Sequence, residues 1–515
     1  MNVESVSPPA ETAAIAYWTV RRQLALIAGA LAVLTVAKLF AGSILELRTD
    51  EAYHWAWSKE WVVSYLDHPP MVAWLVRLGT SLFGDSLFGA RFAFLLAMPI
   101  AELLLADIVR RRTGSLQAAA TVVLAMESTI HLGGIAMLIE PSIPLILFSS
   151  LMFWALSKLE QTGDALWWLL VGAAAGLALL SKYMALLFVP AILAFLLVPP
   201  RNRRWLFTPW PWIAGVISLL LFAPVLWWNF QNDWASFRFQ GVRAVGGHGM
   251  DLGNLTDFLA LSLLLIGPVL APLVVFGSIR GAIRAFREAD GTTLAISVAF
   301  LFFFGYLAIR ALSLDINTSW PVAMWPFGIA AAAIGMSHPV AGTAARLPRT
   351  VGRWWLVAIC INLVLLAGAH YHVTLDAGAW GGNRDPIGRD DGYAAVGDAV
   401  IAMAESGGYG WVATTDYRTY AALRWQLRGR LPVYQINQRS RYIGFAATDL
   451  EGTNGLYVYP DGRADELVPG DGGVAAERIW REQNEGTMII RPVDGWSPDL
   501  TPPRDSPLYR WPDLA

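Results

Sequence analysis

Cysteine is almost missing from this chain. Cys360 is the only one and lies in an apolar run, so neither a disulfide framework nor a thiolate metal site can be built. Lysine is nearly as scarce, with Lys38, Lys59, Lys158 and Lys182 set against 34 arginines. Charged residues make up only 15% of the 515, and the net charge is −2. No basic domain stands apart, which argues against a nucleic-acid partner. Asp-x-Asp, Walker A, His-Glu-x-x-His and Gly-x-Ser-x-Gly patterns are all absent. Nucleotide-sugar, ATP, zinc-protease and hydrolase-elbow chemistries therefore lose their usual supports. A mechanism without metal or cofactor is the simpler expectation, and a divalent metal is left open.

What the chain has in abundance is apolar sequence: 55% hydrophobic residues and a mean hydropathy of +0.46. Roughly 20 apolar residues cross a bilayer core. Such windows recur at about 24–45, 90–109, 116–135, 142–158, 165–181, 184–199, 210–228, 258–279, 292–310, 320–336 and 353–371. The expected fold is a polytopic α-helical membrane protein with about eleven spans. The polar start, MNVESVSPPAETAAIAYWTVRR, has no small-residue cleavage pattern, so the first span is read as retained.

Basic residues set the orientation. Arg21 and Arg22, Arg110 to Arg112, Lys158, Arg201 to Arg204, Arg280 to Arg287 and Arg346 to Arg353 fall on one side, cytoplasmic by the positive-inside rule. The N-terminus is then cytoplasmic, and the loops at 46–89, 132–141, 229–257 and 310–319 face outward. So does the tail, where Gly, Asp, Arg and Pro replace the apolar runs. We divide the chain into a membrane domain at 1–372 and an extracytoplasmic soluble α/β domain at 373–515. Its expected helices are 392–406 and 416–428, and its expected strands 410–414, 432–436, 455–459 and 486–491.

The stretch LRTDEAYHWAWSKEWVVSYLDHPPMVAW, residues 47–74, concentrates chemistry. Asp50 and Glu51 follow the first span, where a partly hydrated carboxylate can serve as general base. Asp67 and His68 precede paired prolines that stiffen the loop. Tyr53, His54 and Trp57 could stack on a sugar or line a lipid groove, although aromatics here also serve as headgroup anchors. Glu140, in MLIEPSIPL, is an acid among apolar residues, a candidate functional group or a helix N-terminal charge. Lys182, in LLSKYMALL, is an outward cation suited to a phosphate. Lys59, Arg238, Arg243 and His68 are further phosphate candidates, and Asp67, Tyr183 and Trp234 are further candidates to contact the sugar or the lipid. Taken together, outward acids and cations describe a pocket for a hydroxyl nucleophile and a phosphate leaving group.

TDEAYHWAWSKEWVVSYLDHPPMVAWL resembles the first outer loop of the bacterial protein O-mannosyltransferase-like glycosyltransferases of the GT-C superfamily, the group that includes lipid A aminoarabinose and rhizobial galacturonosyl transferases. LLSKYMALLFVP, NFQNDWASFRFQ, NTSWP and DPIGRDDGY resemble its later motifs, so the similarity touches about Arg48 to Arg441. The resemblance implies a multi-span fold with an extracytoplasmic site and a soluble C-terminal domain. It also implies inverting transfer from a polyprenyl-phosphate sugar donor to a hydroxyl of an envelope glycolipid or glycan, in the bacterial inner membrane. On it, Asp50 matches the first-loop acid. Glu140 matches a second acid before a proline, which some members carry where this chain has Ser142. His68 stands where the aminoarabinose transferase has a lysine, which shifts phosphate binding toward Lys182, Arg238 and Arg243 and makes an aminoarabinose donor a poorer fit. The competing readings are a lipid-linked glycan transporter or flippase, and a protein O-glycosyltransferase.

Overall fold

The computed structural model describes residues 29, 32–134, 136–247, 249–340, 343–346, 349–374, 393–414, 416–435, 439–443, 445, 450, 452–460, 477–480 and 487–493. The N-terminal segment before residue 29, the DPIGRDDGY run up to residue 392 and the Pro-rich ending at 497–507 lie outside these residues.

Helix α1 (Ala32–Ile44) leads to α2 (Thr49–Ser58), α3 (Met71–Phe83), α4 (Leu87–Thr113) and α5 (Leu116–Ser128). After a π-turn at Ile130–Gly134 come α6 (Ser142–Thr162), α7 (Trp167–Ser181), α8 (Val189–Leu197), α9 (Trp210–Gln231) and α10 (Ala235–Val245). The bundle closes with α11 (Leu252–Ile266), α12 (Leu270–Glu288), α13 (Gly291–Arg310), α14 (Trp325–Met336) and α15 (Arg349–Thr374). Among the described residues, five helices are long and apolar enough to cross a membrane, or up to seven if each bent pair counts as one span. The remaining expected spans are apolar helices of 10–17 residues.

Local chemistry sets the ends. Ser86 caps α4 by accepting from the Gly89 amide, and Gly114, at φ 66, closes it beyond Arg110, Arg111 and Arg112. The expected continuous span at 258–279 is instead two helices bent by 100°. Gly267, at φ 109, followed by Pro268 explains the break. Asn362 Nδ2 donates to the Ile266 carbonyl (2.7 Å), satisfying an acceptor that the broken helix leaves free. The expected 116–135 span likewise stops at Ser128, before the π-turn. The 184–199 span begins as a tight 3-10 segment, Tyr183–Phe188. An apolar helix in the first outer loop, α3, and a short hairpin pairing β1 (His338–Val340) with β2 (Thr343–Arg346) were not anticipated.

Helix α14 is buried over all 12 residues and rich in Ala and Gly, so its neighbours approach closely. Elsewhere apolar side chains face out, as on α9 (Leu219, Leu220, Trp227) and α15 (Leu356, Leu363, Val364). Such a belt suits lipid rather than water. At the arginine-rich end, Glu160 gathers Arg112, Arg201 (2.6 Å) and the amides of Gly291 and Thr292 (2.8 and 2.9 Å). A carboxylate at the start of α13 suits the helix dipole, and it joins two of the expected basic segments at one end of the bundle.

The tail forms α16 (Tyr393–Gly407), α17 (Tyr417–Gln426) and a five-stranded sheet. Its strands are β3 (Val412–Thr414), β4 (Val433–Gln435), β5 (Gly455–Pro460), β6 (Glu477–Trp480) and β7 (Thr487–Val493), in the order β4-β3-β5-β7-β6. β3 runs parallel to β4 and β5, whereas β7 is antiparallel to β5 and β6. Every expected tail element is present within a few residues; β6 is additional. The domain sits with α17 against α2, where Trp425 meets Trp55 edge-on at 5.0 Å and Arg424 pairs with Glu60 at 2.8 Å.

Arg91 of α4 fastens α2 to the bundle. Its Nε and Nη2 each donate to Glu51 at 2.7 Å, while Nη1 and Nη2 reach the carbonyls of Gly42, Leu45 and Glu46. Both side chains are only 2% exposed. Removing one partner of such a pair costs about 3–5 kcal/mol, because a buried charge is left uncompensated. Arg91→Leu is therefore expected to lower the thermal unfolding temperature in detergent sharply. Adding Glu51→Gln should recover part of the loss, and an unchanged melting curve for the single variant would contradict this account.

Candidate active site

Asp50 and Glu51 are neighbours on one helix, so their side chains point about 100° apart. Glu51 points inward. Besides Arg91 it accepts from the amides of Arg48 and Ile139, both at 3.0 Å. Burial pushes its carboxyl upward, but Arg91 and these amides outweigh that and hold it below its ordinary value. Glu51, expected among the catalytic acids, thus accepts from four donors. Asp50 is exposed, and both acids border a cavity.

The cavity holds about 1040 Å³ and opens beside both polar and apolar walls. Glu140 and Lys182 meet there: Nζ of Lys182 lies 3.3 Å from Oε1 of Glu140 and donates to Ser142 Oγ (2.8 Å) and the Ser319 carbonyl (3.3 Å). Ser142 also donates to Glu140 at 3.0 Å. Helix α7 ends at Ser181, and Lys182 adopts an extended conformation (φ −160) that turns its side chain into this cluster. Arg243 lines the same cavity beside the Phe239 ring. The apolar wall is formed by Leu179, Leu187, Leu219, Phe222 and Leu226.

His68 reaches the cavity as well, and its Nδ1 is buried without a partner among the described residues. Burial, then the nearby cations Lys182 and Arg243 with His54 between them in strength, hold this imidazole well below its usual value, so it is neutral at pH 7. Tyr53, His54, Asp67 and Tyr183 also line the space. His54 Nδ1 sits 3.2 Å from the Ile139 carbonyl, and Tyr183 shares a 2.7 Å hydrogen bond with Ser236.

Other candidates stand elsewhere. Lys59 pairs with Asp85 and lies over the Trp55 ring. Trp57 is buried and stacked on Tyr65 at 4.3 Å. Trp234, in a left-handed turn, stacks on Phe237, and Arg238 follows in the same helix; neither is part of the cavity lining. Only one side of α2 or α10 can face a single space, which leaves these residues outside the cavity lining. Conversely, sequence reasoning missed His131, Tyr417, Arg418 and Arg441, all of which line it. His131 sits in the π-turn, its Nε2 2.9 Å from the Thr318 carbonyl. Such turns recur at functional sites, but nothing in IHLGG announces one.

Residues 67–228 match the model of a family described as dolichyl-phosphate-mannose-protein mannosyltransferases. Over 230 residues the chain is 29% identical to the lipid A galacturonosyltransferase RgtD of Rhizobium johnstonii, an alignment covering 43% of this chain and 46% of that protein's length. The fold is similar to that of ArnT from Cupriavidus metallidurans bound to undecaprenyl phosphate, with TM-score 0.61, 16% identity, and 91% and 97% of the two chains covered. The apo form of ArnT gives TM-score 0.61 at 15% identity. The chain thus shares the fold of ArnT, a bundle of apolar helices followed by a C-terminal region built around a small mixed sheet.

The charges around His68 make a testable statement. Removing a positive neighbour favours the protonated imidazole, so Lys182→Met should raise the pH at which His68 loses reactivity toward diethyl pyrocarbonate, followed by mass spectrometry. A downward shift, or none, would contradict the placement of Lys182 beside it.

Proposed function

We propose that this chain is an integral-membrane inverting glycosyltransferase, moving a sugar from a polyprenyl-phosphate donor to a hydroxyl of a lipid A-like envelope glycolipid. The observation that carries the proposal is the convergence of Asp50 with Lys182, Glu140, His68 and Arg243 on one cavity that also has an apolar wall. A polyprenyl chain needs the apolar surface, its phosphate the cations, and an attacking hydroxyl the acid. The match to the mannosyltransferase family, the likeness to a lipid A galacturonosyltransferase and the ArnT-like fold support the same reading. We place the arginine-rich end in the cytoplasm of a bacterial inner membrane and the cavity with the soluble domain on the periplasmic side, following the positive-inside rule.

In this mechanism the acceptor oxygen attacks the anomeric carbon from the face opposite the phosphate. The bond from that carbon to the phosphate oxygen breaks, and its electron pair leaves with polyprenyl phosphate. Asp50 takes the hydroxyl proton. Lys182 and Arg243 stabilise the charge growing on the phosphate, and neutral His68 donates a hydrogen bond to it. Glu140 and Ser142 hold the Lys182 ammonium in place. No metal or cofactor enters these steps. A hexuronate is the first sugar to test, since the curated relative is a galacturonosyltransferase.

Transfer from a radiolabelled polyprenyl-phosphate sugar to a lipid A acceptor, in detergent and without any gradient, tests the proposal against a transporter or flippase. Mass spectrometry of envelope lipids from cells with and without the protein identifies the sugar and the acceptor together. Asp50→Asn keeps the size and removes the base, so turnover should fall at least ~100-fold. Lys182→Met should lower kcat/KM about 10- to 100-fold, the weight of one charge-assisted hydrogen bond. Wild-type-like transfer by a folded Asp50→Asn enzyme would sink the assignment of the base.

A further inference from the structure

Arg441 lies in a short 3-10 turn, Arg439–Tyr442, of the soluble domain, 374 residues from the loop it reaches. Its Nη1 donates to both carboxylate oxygens of Asp67, at 2.6 and 2.8 Å, and both side chains are only 11% exposed. The hydroxyl of Tyr53 donates to the same carboxylate at 2.9 Å, and the Gln240 amide donates to the Asp67 carbonyl at 2.5 Å. The guanidinium is sandwiched near Tyr417 (4.6 Å) and Phe239 (5.6 Å). Asp67, expected to contact sugar or lipid, is therefore held by α2, α10 and the tail at once.

The next residue is His68. Its imidazole enters the cavity with no protein partner on Nδ1 among the described residues. Its place is set by the backbone, with Asp67 on one side, Pro69 and Pro70 on the other and the Tyr65 amide donating to the His68 carbonyl at 3.2 Å, and by the neighbouring rings of His54 (6.2 Å) and Trp57 (6.5 Å). Losing Arg441 would leave the Asp67 carboxylate buried and only partly compensated. The low-cost response is for Asp67 to swing toward water in the cavity, carrying His68 with it.

We infer that Arg441 is a positioning residue: through Asp67 it sets where His68 stands in the cavity, which makes the soluble domain a working wall of the transfer site. This rests on the glycosyl-transfer reading above. The domain's seat does not depend on Arg441, because the Arg424–Glu60 pair and the Trp425–Trp55 contact hold the other end of α17. Misplacing a group by about 1 Å can cost ~100-fold in rate. Because His68 meets the leaving phosphate, the loss should fall on kcat while the KM for acceptor stays within about threefold of wild type.

The test uses the full chain in detergent, comparing Arg441→Gln, Asp67→Asn, the double variant and Arg424→Gln, with polyprenyl-phosphate hexuronate and lipid A as substrates. The expected result is a loss in kcat of about 10- to 100-fold for Arg441→Gln and for Asp67→Asn, with the double variant no worse than the more severe single one. His68 should gain reactivity toward diethyl pyrocarbonate in Arg441→Gln and not in Arg424→Gln. Wild-type kcat for Arg441→Gln, losses that multiply in the double variant, or unchanged His68 reactivity would overturn the inference. If Arg441→Gln does not fold, Arg441→Lys, which keeps the charge but loses the fork, is expected to show the same kcat loss at reduced size. If wild-type protein transfers no sugar, the functional proposal fails and the His68 modification pattern alone decides whether Arg441 positions the loop.

Discussion

The buried pair between Glu51 and Arg91 is the constraint from which the site follows. Arg91 uses its whole guanidinium: two bonds to the carboxylate, and the rest to carbonyls where α1 ends. One side chain thus fixes the end of the first described helix, the start of α2 and the body of α4 together. A buried ion pair is seldom a large net source of stability, because desolvation offsets the attraction. Its effect here is geometric. Both adjacent acids border the cavity, but Glu51 is saturated by Arg91 and two backbone amides, whereas Asp50 is exposed.

This division of labour was not legible in the sequence. The density of acids, histidines and aromatics in 47–74 marks the region, but Arg91 is 40 residues from Glu51 and sits in an apolar helix, where an arginine reads as an isolated charge. Lys182 was legible for the opposite reason. A scarce residue on the wrong side of the charge pattern stands out, and the Glu140 that meets it is equally conspicuous among apolar neighbours. Arg441 was invisible because the tail is rich in arginine and nothing local distinguishes this one. The tail's strands and helices could be read from their alternation and flanking glycines, whereas its docking on α2 depends on contacts far apart in sequence.

The bundle shows the same split between what is local and what is not. Hydropathy finds apolar segments, yet it is blind to direction, so a bent pair such as α11 and α12 looks like one span. Gly267 followed by Pro268 was the available signal for that break. The aromatics of the first loop also separate by environment. Trp61 is 80% exposed with Arg77 stacked on its face at 3.7 Å, suiting a headgroup anchor, whereas Trp57 is buried in a stack and Tyr53 forms part of the cavity wall.

Charge balance in the cavity bears on how the proposed transfer would discriminate between states. Most of its ionic groups are already paired: Arg91 with Glu51, Arg441 with Asp67 and Lys182 with Glu140, while Arg243 has no carboxylate partner among the described residues. A polyprenyl-phosphate sugar is a phosphodiester with one negative charge; the departing polyprenyl phosphate carries a second as the bond breaks. A lysine shared with a carboxylate offers the diester only part of its charge. As the leaving oxygen becomes anionic it competes better with Glu140 for the Lys182 ammonium, so the attraction is greater in the transition state than at binding. Only such differential interactions raise kcat. A free lysine at this position would bind donor and product more tightly without the same gain in rate, which gives the Glu140–Lys182 pair a reason to exist beyond holding two loops together.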